Sequence, residues 1–124
     1  MRLDLFRNSS FSRGAPMIAE LAWIMCSGLL VSGFLPGSKW RVLLLRLFGS
    51  RIGVGVVVKP RVRVKFPWRL CIGDHCWIGE DVWIDNLSQV ELGSHVCLSQ
   101  GVYICTGSHD WNKETFDLIV KPVT

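Results

Sequence analysis

The segment CTGSHDW, from Cys105 to Trp111, contains the residue types best suited to catalysis. Its histidine, His109, lies between Ser108 and Asp110, where a regular pattern upstream stops. An imidazole ionises near neutral pH and can take a proton from a hydroxyl nucleophile. His109 is therefore either a working base or a polar residue at the end of a fold, and its position in the fold has to distinguish the two.

The apolar residues between Ile52 and Trp111 recur with a period of six. Three blocks of twenty residues align without gaps: IGVGVVVKPRVRVKFPWRLC, IGDHCWIGEDVWIDNLSQVE and LGSHVCLSQGVYICTGSHDW. A large aliphatic residue fills every sixth position. Four residues after each of these comes a second column, which is occupied mostly by smaller residues. This period fits neither a helix nor an alternating strand, but it fits a short strand plus a tight turn, three times around a triangular coil.

Stacked coils of this kind predict a parallel β-helix, an all-β core of about three hexapeptide coils preceded by N-terminal helices. Equivalent columns then lie roughly 4.8 Å apart, and each inward aliphatic side chain contributes about 1.5–3 kcal/mol by burial. The small inward column is predicted to include Ser108, with His109 near a corner. The chain divides into a helical segment (1–51), the β-helix (52–111) and a loop (112–124) leading into C-terminal coils that this chain lacks.

The N-terminal segment contains two apolar helical stretches. Residues 17–35 read MIAELAWIMCSGLLVSGFL, nearly the length that spans a bilayer. They fit a cleaved signal peptide, a membrane-embedded or interfacial helix, or a helix packed on its own domain, and we expect the last. Ser38 can cap a second helix over WRVLLLRLFG, which Gly49 terminates, and the basic face of that helix could rest on a membrane surface.

Charge and cysteine content limit the functions that the chain can have. Residues 21–73 contain no acid and nine basic residues, namely Lys39, Arg41, Arg46, Arg51, Lys59, Arg61, Arg63, Lys65 and Arg69. Such a block suits anionic lipid headgroups, nucleotide phosphates or plain solvent, whereas no nucleic-acid-binding signature accompanies it. Five cysteines without a C-x-x-C pair indicate neither a zinc ribbon nor a redox motif, and they suit a reducing cytoplasm.

Beyond the repeat, the chain resembles the left-handed β-helix acyltransferases, and most closely the colanic acid biosynthesis acetyltransferases of bacterial exopolysaccharide clusters. The resemblance rests on LAWIMCSGLL and RVLLLRLFG, on VKFPWRLCIGDHCWIGEDVWIDNLSQV and on LSQGVYICTGSHDWNKETFDLIVKPV. It implies acetyl transfer from acetyl-CoA to a sugar hydroxyl by a homotrimer with its active sites between neighbouring coils. His109 matches the histidine that these enzymes use as general base.

Other candidate site residues surround His109 in the predicted coils. Asp110 either orients the imidazole or begins the following loop. Asn86, at a turn one coil earlier, binds either the acceptor or the backbone. Trp83 and Trp111 are either sugar-stacking surfaces or outward residues that pack at an interface. The expected acceptor is a sugar or a lipid-linked saccharide, and the expected location is the cytoplasm, with a peripheral contact at the inner face of the membrane.

Two further interpretations stay open. His75 and His95 occupy one column, and the gamma carbonic anhydrases, a related β-helix class, bind zinc through three histidines. His109 lies at a different position in its coil, so the three side chains need not converge, and we expect no metal. Alternatively, acetyltransferases of this kind continue with further coils beyond the KPV segment. If these 124 residues are the whole product, we expect an inactive remnant or a structural module; if they are a fragment of a longer product, the enzyme hypothesis stands.

Overall fold

The structure is a computed structural model of the 124-residue chain. It describes residues 3–5, 11–28, 36–110, 112–114 and 117–124. Within these ranges the chain forms two α-helices, eleven short strands and two 3-10 turns, Leu3–Leu5 and Pro67–Arg69.

Nine of the strands form the walls of a parallel β-helix. They are β1 (Arg51–Ile52), β2 (Val57–Val58), β3 (Arg63–Val64), β4 (Leu70–Ile72), β5 (Trp77–Ile78), β6 (Trp83–Asp85), β7 (Val90–Leu92), β8 (Cys97–Leu98) and β9 (Tyr103–Cys105). Every third strand joins the same parallel sheet, in the orders β1-β4-β7, β2-β5-β8 and β3-β6-β9. Paired residues are twenty apart, as in Val64 opposite Ile84. The predicted twenty-residue coil and the parallel β-helix are therefore confirmed.

Most of the core consists of the inward columns that the sequence period predicts, joined by Trp23, Val42 and Leu45 of the helices and by Leu70 and Val90. Ile72, Ile78 and Ile84 of the second coil are at most 2% exposed, because a coil covers them on each side. The smaller column follows the same rule, since Cys76 and Val82 are also buried. In the third coil the equivalent aliphatic residues are only half-buried, although they still pack against this core.

Two of the three corners have a left-handed backbone in every coil. The six residues concerned are Gly55, His75 and His95, with φ of 69°, 53° and 60°, and Arg61, Asp81 and Gly101, with φ of 62°, 59° and 75°. L-residues adopt this conformation at a cost of roughly 1 kcal/mol or more. Arg61 donates to Asp81 across the coils at 2.9 Å, which lowers the pKa of the Asp81 carboxyl.

The third corner is built by side chains that bond to the backbone of the preceding coil. Asn86 is fully buried, accepts the Phe66 N–H at 2.9 Å, and donates to the carbonyls of Phe66 and Arg69 at 2.7 and 3.0 Å. One coil later, Thr106 is also buried and its hydroxyl accepts the Ser88 N–H at 2.9 Å. These two residues satisfy backbone groups that turn away from the sheets.

The helices α1 (Met17–Cys26) and α2 (Lys39–Leu47) precede the coils. Trp23 of α1 is 1% exposed and donates its indole N–H to the Val64 carbonyl at 2.8 Å. The first helix thus packs on its own domain. None of the helices in the described ranges is long and apolar enough to cross a bilayer, and residues 29–35 of the apolar stretch lie outside those ranges.

Ser38 precedes α2, but its side chain makes no hydrogen bond that caps the helix. Its hydroxyl instead accepts the Val58 N–H at 2.7 Å and so joins the start of α2 to β2. Ser38 is therefore at the N-cap position of α2 as predicted, but its side chain does not form the capping bond. Gly49, with a φ of 103°, follows the end of α2 as expected from the sequence.

Part of the basic block is engaged in contacts within the molecule. Arg41 is fully buried, Arg69 donates to the Leu87 and Ser12 carbonyls, and Arg61 pairs with Asp81. The exposed members of the block are Lys39, Arg46, Arg51, Arg63 and Lys65. The basic surface is consequently smaller than the count of nine residues suggests.

The regular coil ends at Thr106, earlier than predicted. The next residues form β10 (Gly107–His109), which pairs antiparallel with β11 (Leu118–Val120). Ser108 is exposed, so its predicted place in the small inward column is wrong. The cause is local: the Thr106 hydroxyl occupies the corner, and the chain then leaves the stack as a hairpin.

The chain returns to the stack after this hairpin. Val123 forms a parallel bridge with Val90, accepting the Glu91 N–H at 2.8 Å and donating to the Gln89 carbonyl at 3.0 Å. It lies thirty-three residues after Val90 instead of the usual twenty. The hairpin is thus an insertion of thirteen residues at one corner.

Candidate functional site

His109 lies on the hairpin and not at a corner of the β-helix. It is the last residue of β10, is half-buried, and pairs with Leu118 of β11. Ser108 pairs with Ile119 in the same ladder, and the hairpin is closed by the Asp110 N–H, which donates to the Asp117 carbonyl at 2.8 Å. Antiparallel pairing therefore fixes the backbone that carries the histidine.

Asp110 makes the contacts of a residue that organises the hairpin loop. Its Oδ1 accepts the Asn112 N–H at 3.1 Å, and its Oδ2 lies 3.7 Å from Lys113 Nζ. Lys113 also donates to Asp117 at 3.2 Å, and these two carboxylates, Asp117 foremost, raise the pKa of Lys113. These contacts fit the second of the two roles considered for Asp110, the start of the loop.

A cavity of about 330 Å³ lies between the hairpin and the third coil. It is lined by Cys105, Thr106, Gly107, Ser108, Ile119, Lys121, Pro122 and Val123. Its size is at the lower end of the range for small-molecule sites. Successive side chains of a strand point to opposite faces, so His109 belongs to the opposite face of the hairpin from Ser108, and it does not line this cavity.

Asn86 does not face this region. All of its hydrogen bonds go to the backbone of the preceding coil, and the side chain is 0% exposed. Both amide hydrogens are already donated, and the remaining lone pair of the amide oxygen is buried away from any sugar hydroxyl. Of the two roles considered for Asn86, the backbone role is the one that its contacts support, and an acceptor role does not fit its burial.

Trp83 lies on the outward face of the third sheet, between side chains from both neighbouring strands. The Arg63 guanidinium carbon is 4.4 Å from the ring centroid on one side. On the other side the Tyr103 ring is stacked at 4.6 Å. Both faces of the indole are therefore covered, so Trp83 packs within the sheet and offers no open face to a sugar. Trp111, the other predicted stacking residue, lies outside the described ranges.

Tyr103 is an outward residue that the sequence reasoning missed. Its ring is 52% exposed and its hydroxyl donates to Asp85 Oδ2 at 3.0 Å. Hydrogen bonding with the Cys105 thiol and the Asp85 carboxylate raises the pKa of Tyr103 well above that of an ordinary phenol. Asp85 Oδ1 is buried and has no hydrogen-bond partner in the described part of the chain. Only its outward place in the repeat could have pointed to Tyr103.

His75 and His95 stack as their shared column predicts, with ring centroids 5.5 Å apart and ring planes 21° from parallel. Both lie at a left-handed corner on the surface. Among the described residues, no group of three or more His, Cys, Asp or Glu side chains is arranged to hold a metal ion. His109 does not join the pair, because it leaves the stack on β10.

The fold and the hairpin define the chain as a hexapeptide-repeat β-helix protein with a histidine on an inserted loop. It is similar to two curated bacterial proteins, from Escherichia coli K12 and Shigella flexneri, that carry the provisional name colanic acid biosynthesis acetyltransferase WcaF. Each is 44% identical to this chain over 85 residues, which is 68% of this chain and 47% of the relative. The predicted resemblance to these acetyltransferases is thereby confirmed.

The chain spans about half the length of these relatives. No family model matches the chain. No solved structure matches it either.

Proposed function

We propose that the protein transfers an acetyl group from acetyl-CoA to a hydroxyl group of a saccharide. The observation that carries this proposal is the 44% identity to proteins named as acetyltransferases. Those names refer to biosynthesis of an exopolysaccharide, which supports a sugar or a lipid-linked saccharide as acceptor. The donor and the acceptor are part of the proposal, because the chain covers only part of each relative.

In the proposed reaction His109 is the general base. A sugar hydroxyl is a weak nucleophile near neutral pH, and an imidazole can take its proton as the oxygen attacks the thioester carbonyl. The new C–O ester bond forms and the C–S bond breaks. The imidazolium then returns the proton to the coenzyme A thiolate, so the histidine ends in its neutral form.

The position of His109 supports this role on physical grounds. It lies on a hairpin outside the packed columns, where the burial of aliphatic side chains does not determine the residue type. Paired strands hold the backbone on both sides of the hairpin. A base held on a rigid element keeps its geometry better than one on an irregular loop.

We further propose that the protein works as a homotrimer in the cytoplasm, with each active site between neighbouring chains. The exposed edges of the coils and the hairpin would then meet a second chain. Five cysteines without a disulfide among them support a reducing compartment. Sedimentation at several protein concentrations would measure the assembly directly.

The test is an acetyl-transfer assay that follows release of the coenzyme A thiol with saccharide acceptors. We expect His109→Ala to lower kcat by about 10²–10⁴-fold, which is the usual contribution of a general base. His95→Asn is the matched control, because His95 is an exposed corner histidine with a φ of 60° that asparagine tolerates.

Two results would contradict the proposal. Turnover by His109→Ala equal to that of the unmodified protein would remove the histidine from the mechanism. A folded protein without any turnover on a panel of saccharides would instead favour a structural β-helix module. Circular dichroism of each variant confirms that the coils are intact.

A further inference from the structure

The outward face of α1 is an apolar surface that is exposed in the described part of the chain. Its five side chains are Met17 (76% exposed), Ile18 (82%), Leu21 (55%), Ile24 (56%) and Met25 (66%). Their spacing of one, four, seven and eight residues places them on one stripe of the helix, about 120° wide. Trp23 on the opposite side anchors the helix to the first coil. Contiguous apolar surface of this kind marks an interaction site.

Basic side chains lie next to this face. Arg13 and Lys65 line, together with Ile24, a groove of about 260 Å³ between α1 and the first coil. Glu20, the acidic residue of α1, is already paired with Arg13. The sequence from residue 21 to residue 73 contains no further acid, and several of its basic residues are exposed. The face therefore combines apolar side chains with one cation at its border, Lys65, for which the described residues provide no ion pair, since Glu20 pairs with Arg13.

This combination distinguishes between the surfaces that could cover the helix. A second copy of the chain docked face to face would offer Lys65 no free acid, because Glu20 of each α1 is already paired with Arg13. An anionic lipid surface matches both features, because the acyl region accepts the apolar side chains and the headgroups accept the cations. We propose that α1 docks its outward face on the surface of an anionic lipid bilayer.

The helix would lie in the plane of the membrane interface rather than cross it. Ten residues extend about 15 Å, which is half the thickness of a hydrocarbon core. The basic groups in the groove beside the apolar stripe, Lys65 and Arg13, remain at the level of the headgroups. This proposal is independent of acetyl transfer, because it rests on the helix face alone.

Co-sedimentation of the purified chain with lipid vesicles tests the proposal. We expect binding to vesicles of phosphatidylcholine and phosphatidylglycerol, with weaker binding to phosphatidylcholine alone and at raised salt. Replacing two of the most exposed apolar residues, Ile18→Gln with Met25→Gln, should weaken the partition by about tenfold or more. Lys65→Gln should weaken it by about fivefold.

Val54→Gln is the matched control, because Val54 is 63% exposed at a corner of the first coil. Equal partition of the Ile18 and Met25 variant and the unmodified protein would overturn the proposal. So would self-association in solution that the same two substitutions abolish, since the face would then be an interface between copies. The comparison of the two vesicle compositions uses the unmodified protein and does not depend on how a variant folds.

Discussion

Asn86 is the polar residue on which the third corner depends. It is fully buried and holds three backbone groups of the preceding coil, two on Phe66 and one on Arg69. Backbone groups that turn away from a sheet and stay buried need a partner. Asn86 therefore stabilises the contact between two coils, and we do not expect it to take part in a reaction.

We expect Asn86→Ala to lower the free energy of unfolding by about 3 kcal/mol, because it leaves buried backbone groups without partners. Urea unfolding followed by circular dichroism measures this loss. Asn112→Ala, at the exposed hairpin loop, is the matched control and should change the free energy by less than about 0.5 kcal/mol. A small effect at Asn86 would mean that the corner relaxes or admits water.

Tyr103 provides a direct titration of the third sheet, because it is the single tyrosine of the chain. Cys105 and Asp85 raise its pKa above the ordinary phenol value of about 10. The neutral phenol is thus favoured in the folded state. The associated stability is present below the unfolded-state pKa and is lost as the pH rises through the higher folded-state value.

We expect the tyrosinate absorbance at alkaline pH to appear later in the folded protein than in the urea-unfolded chain. Asp85→Asn removes the carboxylate that accepts the hydroxyl hydrogen and disfavours ionisation, so it should move the midpoint back towards that of a free phenol. Identical titrations of Asp85→Asn and the unmodified protein would show that Asp85 does not control the ionisation.

The sequence predicts residue roles well only where a repeated column determines them. The inward aliphatic residues and the His75 and His95 stack follow from the period of twenty. The position of the Trp83 ring between Arg63 and Tyr103 does not follow from this period. It depends on side-chain conformations, which the period does not determine. Thr106 was missed because a threonine that ends a regular coil looks like any other turn residue.

At the scale of the elements, the corners of successive coils approach each other closely. A Cβ on Gly73 would lie 2.6 Å from the Ser94 nitrogen and 2.7 Å from the Gly93 carbonyl carbon. The same column in the third coil is open, since a Cβ on Gly93 meets nothing within 4 Å. Equivalent glycines therefore have different constraints, according to whether a coil lies above them.

We expect Gly73→Ala to destabilise the chain by about 2–3 kcal/mol, because the clash is with backbone atoms that cannot move aside. Gly93→Ala, in the same column, should stay within about 1 kcal/mol of the unmodified protein. Thermal unfolding of the two variants side by side measures the difference. Equal losses would mean that another surface covers the third coil in solution.

The helices show where element boundaries can be predicted and where their contacts cannot. The end of α2 just before Gly49 can be predicted, because glycine readily adopts the left-handed conformation that follows a helix. The bond of Ser38 to Val58 could not be predicted, because Ser38 is also a suitable capping residue. A local preference in the sequence was overridden here by a partner twenty residues away.

At the scale of the whole molecule, a repetitive stack and an irregular hairpin are combined. The stack can be predicted from the sequence because every coil needs the same types of residue at the same positions. The hairpin was not, because β10 begins at the point where the period predicts another corner. The sequence therefore identifies His109 as a candidate residue but predicts that it lies near a corner of the coil instead of on the hairpin.

Removal of the hairpin tests how independent it is of the stack. Deleting residues 108–120 would bring Val123 to twenty residues after Val90, the spacing of the regular coils. We expect the deleted protein to keep the circular dichroism of the β-helix and to lack the proposed acetyl transfer. Deleting Glu80 alone is the control, because it shifts every later residue of the stack by one position and should unfold it. Loss of the β-helix in the longer deletion would show that the hairpin is required for folding.

One corner releases thirteen additional residues and still receives the chain in register at Val123. The packing of the stack therefore accommodates a long segment at this corner without losing its register. Lengthening or shortening the paired strands by equal amounts would change how far His109 projects, while the three coils stay as they are. If His109 is the proposed base, evolution or protein design can thus adjust its reach towards larger or smaller acceptors without rebuilding the scaffold.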